Sequence, residues 1–315
     1  MMLAGEMLMT ASTSWSLQIG GRLIAGTGGV LLNVLMTKMV TDWFAGEDIV
    51  PAMAVFVASW PLGLALGLLT FPPLAAQYGF APVMYLAAAS VAVCLVLVAA
   101  VYYPPPGVPL ERKGHFQLDL SRREWILISL TGLIWGSFNA AYVILVSFLP
   151  DQFALHGYTL AEASRTVSLL AWVVIAAVPL AGYVAERVQR PNLLMIGGFV
   201  TTAGATALLP VAGVPVIPFV VILIVIGVPA GLIMALTAEA VRPENRSVGM
   251  GVFYTWHFAC MAILPSLAGS ARDLANSAAA PILFAAAVMV LAPIALAVFR
   301  LVQWRAGAEP NRSSP

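Results

Sequence analysis

The chain has 315 residues, of which 61% are hydrophobic and only 9% charged, whereas ordinary soluble domains are roughly a quarter charged. No soluble core needs that much apolar surface, and a net charge of +1 offers no basic field to nucleic acid. Such a composition belongs to a chain that crosses a membrane many times.

A bilayer core about 30 Å thick is crossed by roughly 20 apolar helical residues. The first apolar stretch, 1–15, holds Glu6 and no Lys or Arg. At about 1.5 Å per residue it reaches only about 22 Å, so it reads as the second half of a span begun upstream. A signal peptide is the competing reading, against which stand the missing basic leader and the lack of a convincing cleavage site before Arg22. Nine full-length runs follow, near 18–41, 51–76, 81–103, 125–149, 164–186, 191–211, 215–238, 247–270 and 278–302. Barrel strands would alternate apolar and polar residues, whereas 86–100 is continuously apolar or small. The expected fold class is therefore all-α, a polytopic membrane protein whose helices satisfy their own backbone groups in lipid. Gly26, Gly28 and Gly29 in one run, and Gly63 and Gly67 in the next, are expected to let helices approach closely.

If the runs alternate in direction, one side carries Lys38, Arg112, Lys113, Arg122, Arg123, Arg187, Arg190, Arg242, Arg246, Arg300, Arg305 and Arg312. The other carries only Arg22, Arg165 and Arg272. The richer side is expected in the cytoplasm, together with the C-terminus, in a plasma (inner) membrane. The connection 101–125 lies on that side, opens with Pro104, Pro105 and Pro106, and divides the chain into halves. The sequons at Asn245 and Asn311 fall on the same side, where they would not be glycosylated. Cys94 and Cys260 lie inside runs and offer no disulfide framework.

The halves carry traces of a repeat, as transporters commonly do, at an offset of about 200 residues. Gly26 with Val30-Leu31-Leu32 resembles Gly227 with Gly231-Leu232-Ile233, and Glu47, Met53, Val55 and Phe56 match Glu244, Met250, Val252 and Phe253. Pro72-Pro73-Leu74-Ala75 recurs as Pro265-Ser266-Leu267-Ala268. The second half has six runs and the first only four, counting 1–15.

At this point the chain resembles the major facilitator superfamily of twelve-span transporters, built as two six-helix bundles joined by a cytoplasmic loop. Arg22-Leu-Ile-Ala-Gly26-Thr-Gly28 is similar to the family's fourth-span Arg-x-x-x-Gly-x-Gly motif. Gly182-Tyr-Val-Ala-Glu186-Arg187-Val-Gln189-Arg190 is similar to its loop between spans eight and nine, with Gln189 where the family's pattern has glycine. Arg242-Pro-Glu244-Asn-Arg246-Ser-Val-Gly249 looks like the loop before its eleventh span. The resemblance implies an incomplete N-terminal bundle at 1–103, corresponding to family spans three to six, and a cytoplasmic central loop at 104–124. It further implies a C-terminal six-helix bundle at 125–303 and a cytoplasmic tail at 304–315. The Pro61-Leu-Gly63-Leu-Ala-Leu-Gly67 region is loosely similar to the cyanate/nitroimidazole-type branch.

Arg22 is a coupling or gating candidate because a cation facing lipid costs about 2.5–3.5 kcal/mol on insertion scales, and the resemblance links it to proton coupling or bundle stability. Snorkelling to the outer interface is its structural alternative. Glu6 is a candidate partner. His257, deep in its run and with an unperturbed pKa near 6.5, can exchange protons at physiological pH; a structural hydrogen bond is its alternative role. Asn33, Asn139, Tyr142, Trp172 and Tyr254 are candidates to line a central cavity, or else to join helices. By resemblance, Gly182, Glu186, Arg187 and Arg190 form a cytoplasmic latch, against a plain positive-inside anchor.

Catalysis finds no support. Gly26-Thr-Gly28-Gly29 lacks the third glycine of a nucleotide loop, since Leu31 stands there. His115, His156 and His257 are isolated from each other and from the cysteines, without zinc-ligand spacing. The expected function is secondary transport of a small solute by alternating access, with a proton as candidate coupling ion, no cofactor or metal, and a monomeric state. The alternatives are a membrane interaction or sensory protein that kept the fold without transport, and an inactive fragment of a twelve-span transporter.

Overall fold

A computed structural model describes residues 1–11, 14–44, 49–103, 120–212, 216–242 and 245–308. Most of the expected central loop (104–119), the end of the tail (309–315), and Glu47, Pro243 and Glu244 lie outside the described residues. The described residues form helices and no strand. Nine stretches of helix among them are long and apolar enough to cross a membrane, and a shorter apolar helix lies at Met2–Ala11.

The chain divides into two compact units, Met1–Gly114 and His115–Pro315. Unit 1 contains α1 (Met2–Ala11), α2 (Trp15–Phe44), α3 (Ile49–Tyr78) and α4 (Phe80–Val101). Helix α1 packs antiparallel on α2 through glycines. A Cβ on Gly5 would lie 2.4 Å from the Gly21 carbonyl oxygen, and one on Gly28 would lie 2.7 Å from the Met2 nitrogen. Backbones meet there without intervening side chains, the device membrane helices use where lipid removes the hydrophobic drive to associate. Gly79, at φ 81, turns α3 into α4 in one residue, a conformation that favours glycine. Trp43 near the end of α2 donates from Nε1 to the Tyr103 carbonyl oxygen at 3.1 Å and stacks edge-on against the Tyr103 ring. Among the described residues, Gly63 and Gly67, expected as packing contacts, meet no neighbouring helix. A Cβ at Gly63 would meet open space, and one at Gly67 only Phe71 of its own helix.

Unit 2 contains α5 (Arg122–Ala154), α6 (Leu160–Val188), α7 (Pro191–Leu208), α8 (Val216–Val225), α9 (Gly227–Ala240), α10 (Arg246–Ala275) and α11 (Ala279–Ala308). Helix α5 is its axis, packing against α6, α9, α10 and α11 and burying Leu127, Ile128, Ile134, Ile144, Leu145, Leu149 and Phe153. Glycines again set the closest approach. A Cβ on Gly132 would lie 2.7 Å from the Phe253 carbonyl oxygen, and one on Gly136 would lie 2.8 Å from the Cys260 Cβ and 3.1 Å from the His257 Cα. Gly136→Leu must therefore push α10 away from α5. Overpacking of this kind typically costs about 1–3 kcal/mol, and the expected result is a lower unfolding midpoint in detergent micelles.

The run expected as one span at 215–238 is a single candidate span, Val216–Ala240, whose helix is interrupted at Ile226 between α8 and α9. Pro229 supplies the reason: it has no N–H to bond the Val225 carbonyl, and its ring crowds that group. Next to Ile226, a Cβ on Gly227 would lie 2.2 Å from the Ala177 Cβ of α6, so α6 and α9 come together where only glycine fits. Pro150, Pro265 and Pro293 stay inside their helices, as buried membrane helices tolerate.

Candidate functional site

At the end of unit 2 where α5 begins, Ser121 and Glu124 form a capping box, which meets two of the helix's orphan donors. The Glu124 backbone N–H donates to Ser121 Oγ at 3.3 Å, and the Ser121 N–H donates to Glu124 Oε2 at 2.9 Å. The same carboxylate also clamps the connection between α9 and α10. It accepts from the Arg242 backbone N–H at 2.9 Å, from Arg242 Nε at 3.1 Å and Nη2 at 3.2 Å, and from Asn245 Nδ2 at 3.2 Å. At the same end Arg300 of α11 donates to Asn192 Oδ1 of α7 at 2.7 and 2.9 Å, and pairs with Glu239 of α9. Gln303 Nε2 donates to Glu239 at 3.2 Å. At the opposite end Arg272 Nη1 of α10 lies 2.7 Å from Asp151 Oδ2 of α5.

Between these ends the interior is uncharged: 125–150, 166–185, 191–238, 247–271 and 274–299 contain no Asp, Glu, Lys or Arg. His257 of α10 is the only histidine in those stretches. Gly136 admits it against α5, where its ring centroid lies 6.2 Å from that of Trp135, 6.2 Å from Tyr254 and 4.9 Å from Phe258. One turn beyond Trp135, Asn139 donates from Nδ2 to the Trp135 carbonyl oxygen at 2.8 Å. The His257 Nδ1 atom is buried and has no hydrogen-bond partner among the described residues. A buried polar atom left so costs about 1–3 kcal/mol; Gln152 Oε1, Thr202 Oγ1 and Thr206 Oγ1 are in the same state among the described residues. The arrangement sets one imidazole, a group that can accept or donate a hydrogen bond, among three aromatic rings.

Of the expected site residues, the structure thus brings together His257 and Tyr254, with Asn139 beside Trp135. Tyr142 is buried within α5, Trp172 is exposed on α6, and Asn33 is exposed on α2. Arg22 is exposed on α2 and Glu6 half-buried on α1, and no ion pair joins them among the described residues. The fourth-span motif divides: a Cβ on Gly26 would meet open space, whereas Gly28 meets Met2. Arg187 lays its guanidinium over the Tyr183 ring at 4.7 Å, and the Arg190 carbonyl oxygen accepts from the Leu194 N–H at 3.2 Å at the start of α7. The side chains of Gly182 and Glu186 lie outside the described set. Gln189 has φ 57, the left-handed region that costs a non-glycine residue about 1–2 kcal/mol. Gln189→Gly is accordingly expected to raise stability by up to about 1 kcal/mol, read from detergent unfolding.

Sequence reading missed Glu124, Asn192, Glu239 and Gln303. The Ser121-x-x-Glu124 capping-box pattern was the one local signal that could have marked Glu124; nothing nearby in the chain announces the others.

The family model of the Major Facilitator Superfamily matches residues 1–265. The chain belongs to the Major Facilitator Superfamily. A crystal structure of a bacterial homologue of the human lysosomal transporter Spinster, inward-facing and unoccupied, is similar at a TM-score of 0.60 and 15% identity. The match covers 96% of this chain and 81% of that one, and at such identity it speaks for the fold alone. Comparison with curated protein sequences finds no match. As a member of the superfamily the chain is an integral membrane protein of a transporter family, and in it the seam around His257 lies inside unit 2's spans, away from both charged ends.

Proposed function

We propose that this superfamily member is a secondary transporter that moves a small solute by alternating access, with proton exchange at His257 as the coupling step. The observation that carries the reading is the seam itself. In an interior without Asp, Glu, Lys or Arg, the one histidine, a residue type whose unperturbed side chain exchanges protons near neutrality, sits among Trp135, Tyr254 and Phe258 with its Nδ1 unpartnered among the described residues. The solute stacks on those rings and the imidazole carries the proton. The bundles that alternate are residues 1–103 and 125–303. The ends bearing Arg122, Arg187, Arg242 and Arg300 face the cytoplasm, and the connection from Gly182 to Arg190 acts there as a latch. The loose likeness of the Pro61 to Gly67 region to the cyanate/nitroimidazole-type branch favours a small anion as the solute, and the working form is a monomer.

Purified protein in proteoliposomes, given an inward proton gradient and a panel of labelled small anions, is expected to accumulate at least one of them above its equilibrium level. Accumulation of none, under gradients of either direction, would sink the reading.

A further inference from the structure

We propose that the connection between α5 and α6 forms a binding cleft for a small carboxylate, at the end of unit 2 opposite the Glu124 clamp. A cleft of about 520 Å³ opens there, lined by His156, Gly157, Tyr158, Glu162, Arg165 and Thr166. Its walls are held by internal bonds. Gly157, at φ 87, makes the turn. The Tyr158 ring packs edge-on against Phe153 at 5.3 Å. His156 Nδ1 lies 3.1 Å from the Gln152 carbonyl oxygen; a carbonyl only accepts, so Nδ1 carries the proton.

The charge pattern names the ligand. Glu162 and Arg165 stand three apart on α6, a spacing at which opposite charges normally pair. Here Glu162 Oε2 is drawn back to the helix start, accepting from the Thr159 N–H at 2.9 Å and from Thr159 Oγ1 at 2.7 Å. No ion pair joins Arg165 to Glu162, or to Asp273 at the same end, among the described residues. The other arginine at this end, Arg272, is neutralised by Asp151. Among the described residues Arg165 therefore stands in no direct ion pair, though within electrostatic reach of the Glu162 carboxylate, and its guanidinium lines the cleft beside the Tyr158 phenol. A guanidinium fork matches a carboxylate in two parallel hydrogen bonds, and Tyr158 offers a further donor. That a carboxylate bound here is also the transported solute rests on the transport reading; the binding itself does not.

The test is calorimetric titration of sodium benzoate into the purified full chain, in lipid-free detergent at low ionic strength, where an exposed charge is least screened. Saturable binding is expected, with benzamide, the neutral analogue, binding at least about tenfold more weakly. Arg165→Gln weakens benzoate binding at least about tenfold, and Arg165→Lys recovers part of it. Tyr158→Phe, which keeps the ring on Phe153, weakens it severalfold without moving the unfolding midpoint. The proposal is overturned by absence of saturable binding, by equal binding of benzamide, or by undiminished binding to Arg165→Gln. Loss of benzoate binding on adding phosphatidylglycerol would assign the guanidinium to a lipid headgroup and overturn it as well. Binding that persists in a protein that transports no carboxylate supports the cleft and removes only its link to transport.

Discussion

Arg242→Ala destabilises the protein by about 3 kcal/mol, near the low end of the range for breaking a buried ion pair, and adding Glu124→Gln restores part of the loss. The asymmetry follows from exposure. The Glu124 side chain is 7% exposed and that of Arg242 61%. Truncating Arg242 leaves a buried carboxylate with Ser121, Asn245 and the residue-242 backbone N–H, but without its counter-charge. Truncating Glu124 leaves a guanidinium that water already solvates, so Glu124→Gln alone costs only the loss of charge-assisted hydrogen bonds, about 1–2 kcal/mol. In the double variant no charge is stranded, and it should be more stable than Arg242→Ala alone. Denaturant unfolding of the four proteins in detergent micelles gives the coupling energy directly. Additive losses would mean that the pair is a surface contact, and that the start of α5 and the α9–α10 connection are held by packing instead.

How much of this was legible beforehand depended on whether the information was local. Each apolar run became helix, because a hydrophobic stretch with no internal partner strand has one way to satisfy its backbone in lipid. The break at Ile226 was local as well, in Pro229, but a proline predicts a kink only where neighbouring contacts do not absorb it, and Pro150, Pro265 and Pro293 show that they can. Glycine spacing misled for the same reason. Gly63 and Gly67 share their four-residue interval with Gly132 and Gly136, yet among the described residues only the second pair faces another helix, and which face meets a neighbour is decided by the bundle. Gln189 was visible as a departure from the family's glycine, while its meaning, a positive φ, needed the backbone. The Glu124 clamp joins residues 118 and 121 apart in sequence, and no window shorter than the bundle contains that pairing. His257 stood out from its residue type and its depth in the run. The Trp135 wall came from α5, and Arg22 and Glu6, matched by chemistry, did not pair.

His257→Gln is expected to lower proton-driven uptake about a hundredfold, the lower bound for losing a positioned proton carrier, while solute exchange under equal pH on both sides continues. Glutamine approximates the size and hydrogen-bonding capacity of imidazole but takes up no proton near neutrality. Any packing between Gly136 of α5 and α10 is therefore largely preserved, and the substitution isolates the titration. The two assays separate the roles. Exchange requires the solute to bind and the bundles to alternate, whereas concentrative uptake also requires a proton to be bound on one side and released on the other. If the imidazole were a structural hydrogen-bonding group, both assays and the unfolding midpoint would fall together. Its Nδ1 makes no hydrogen bond among the described residues, so no observed contact would be lost on substitution at that atom. Uptake by His257→Gln at the native rate would place proton coupling elsewhere in the chain. The interior stretches of α5 to α11 contain no other histidine and no Asp, Glu, Lys or Arg, so the next residues to change would be Arg22 and Glu6 of unit 1.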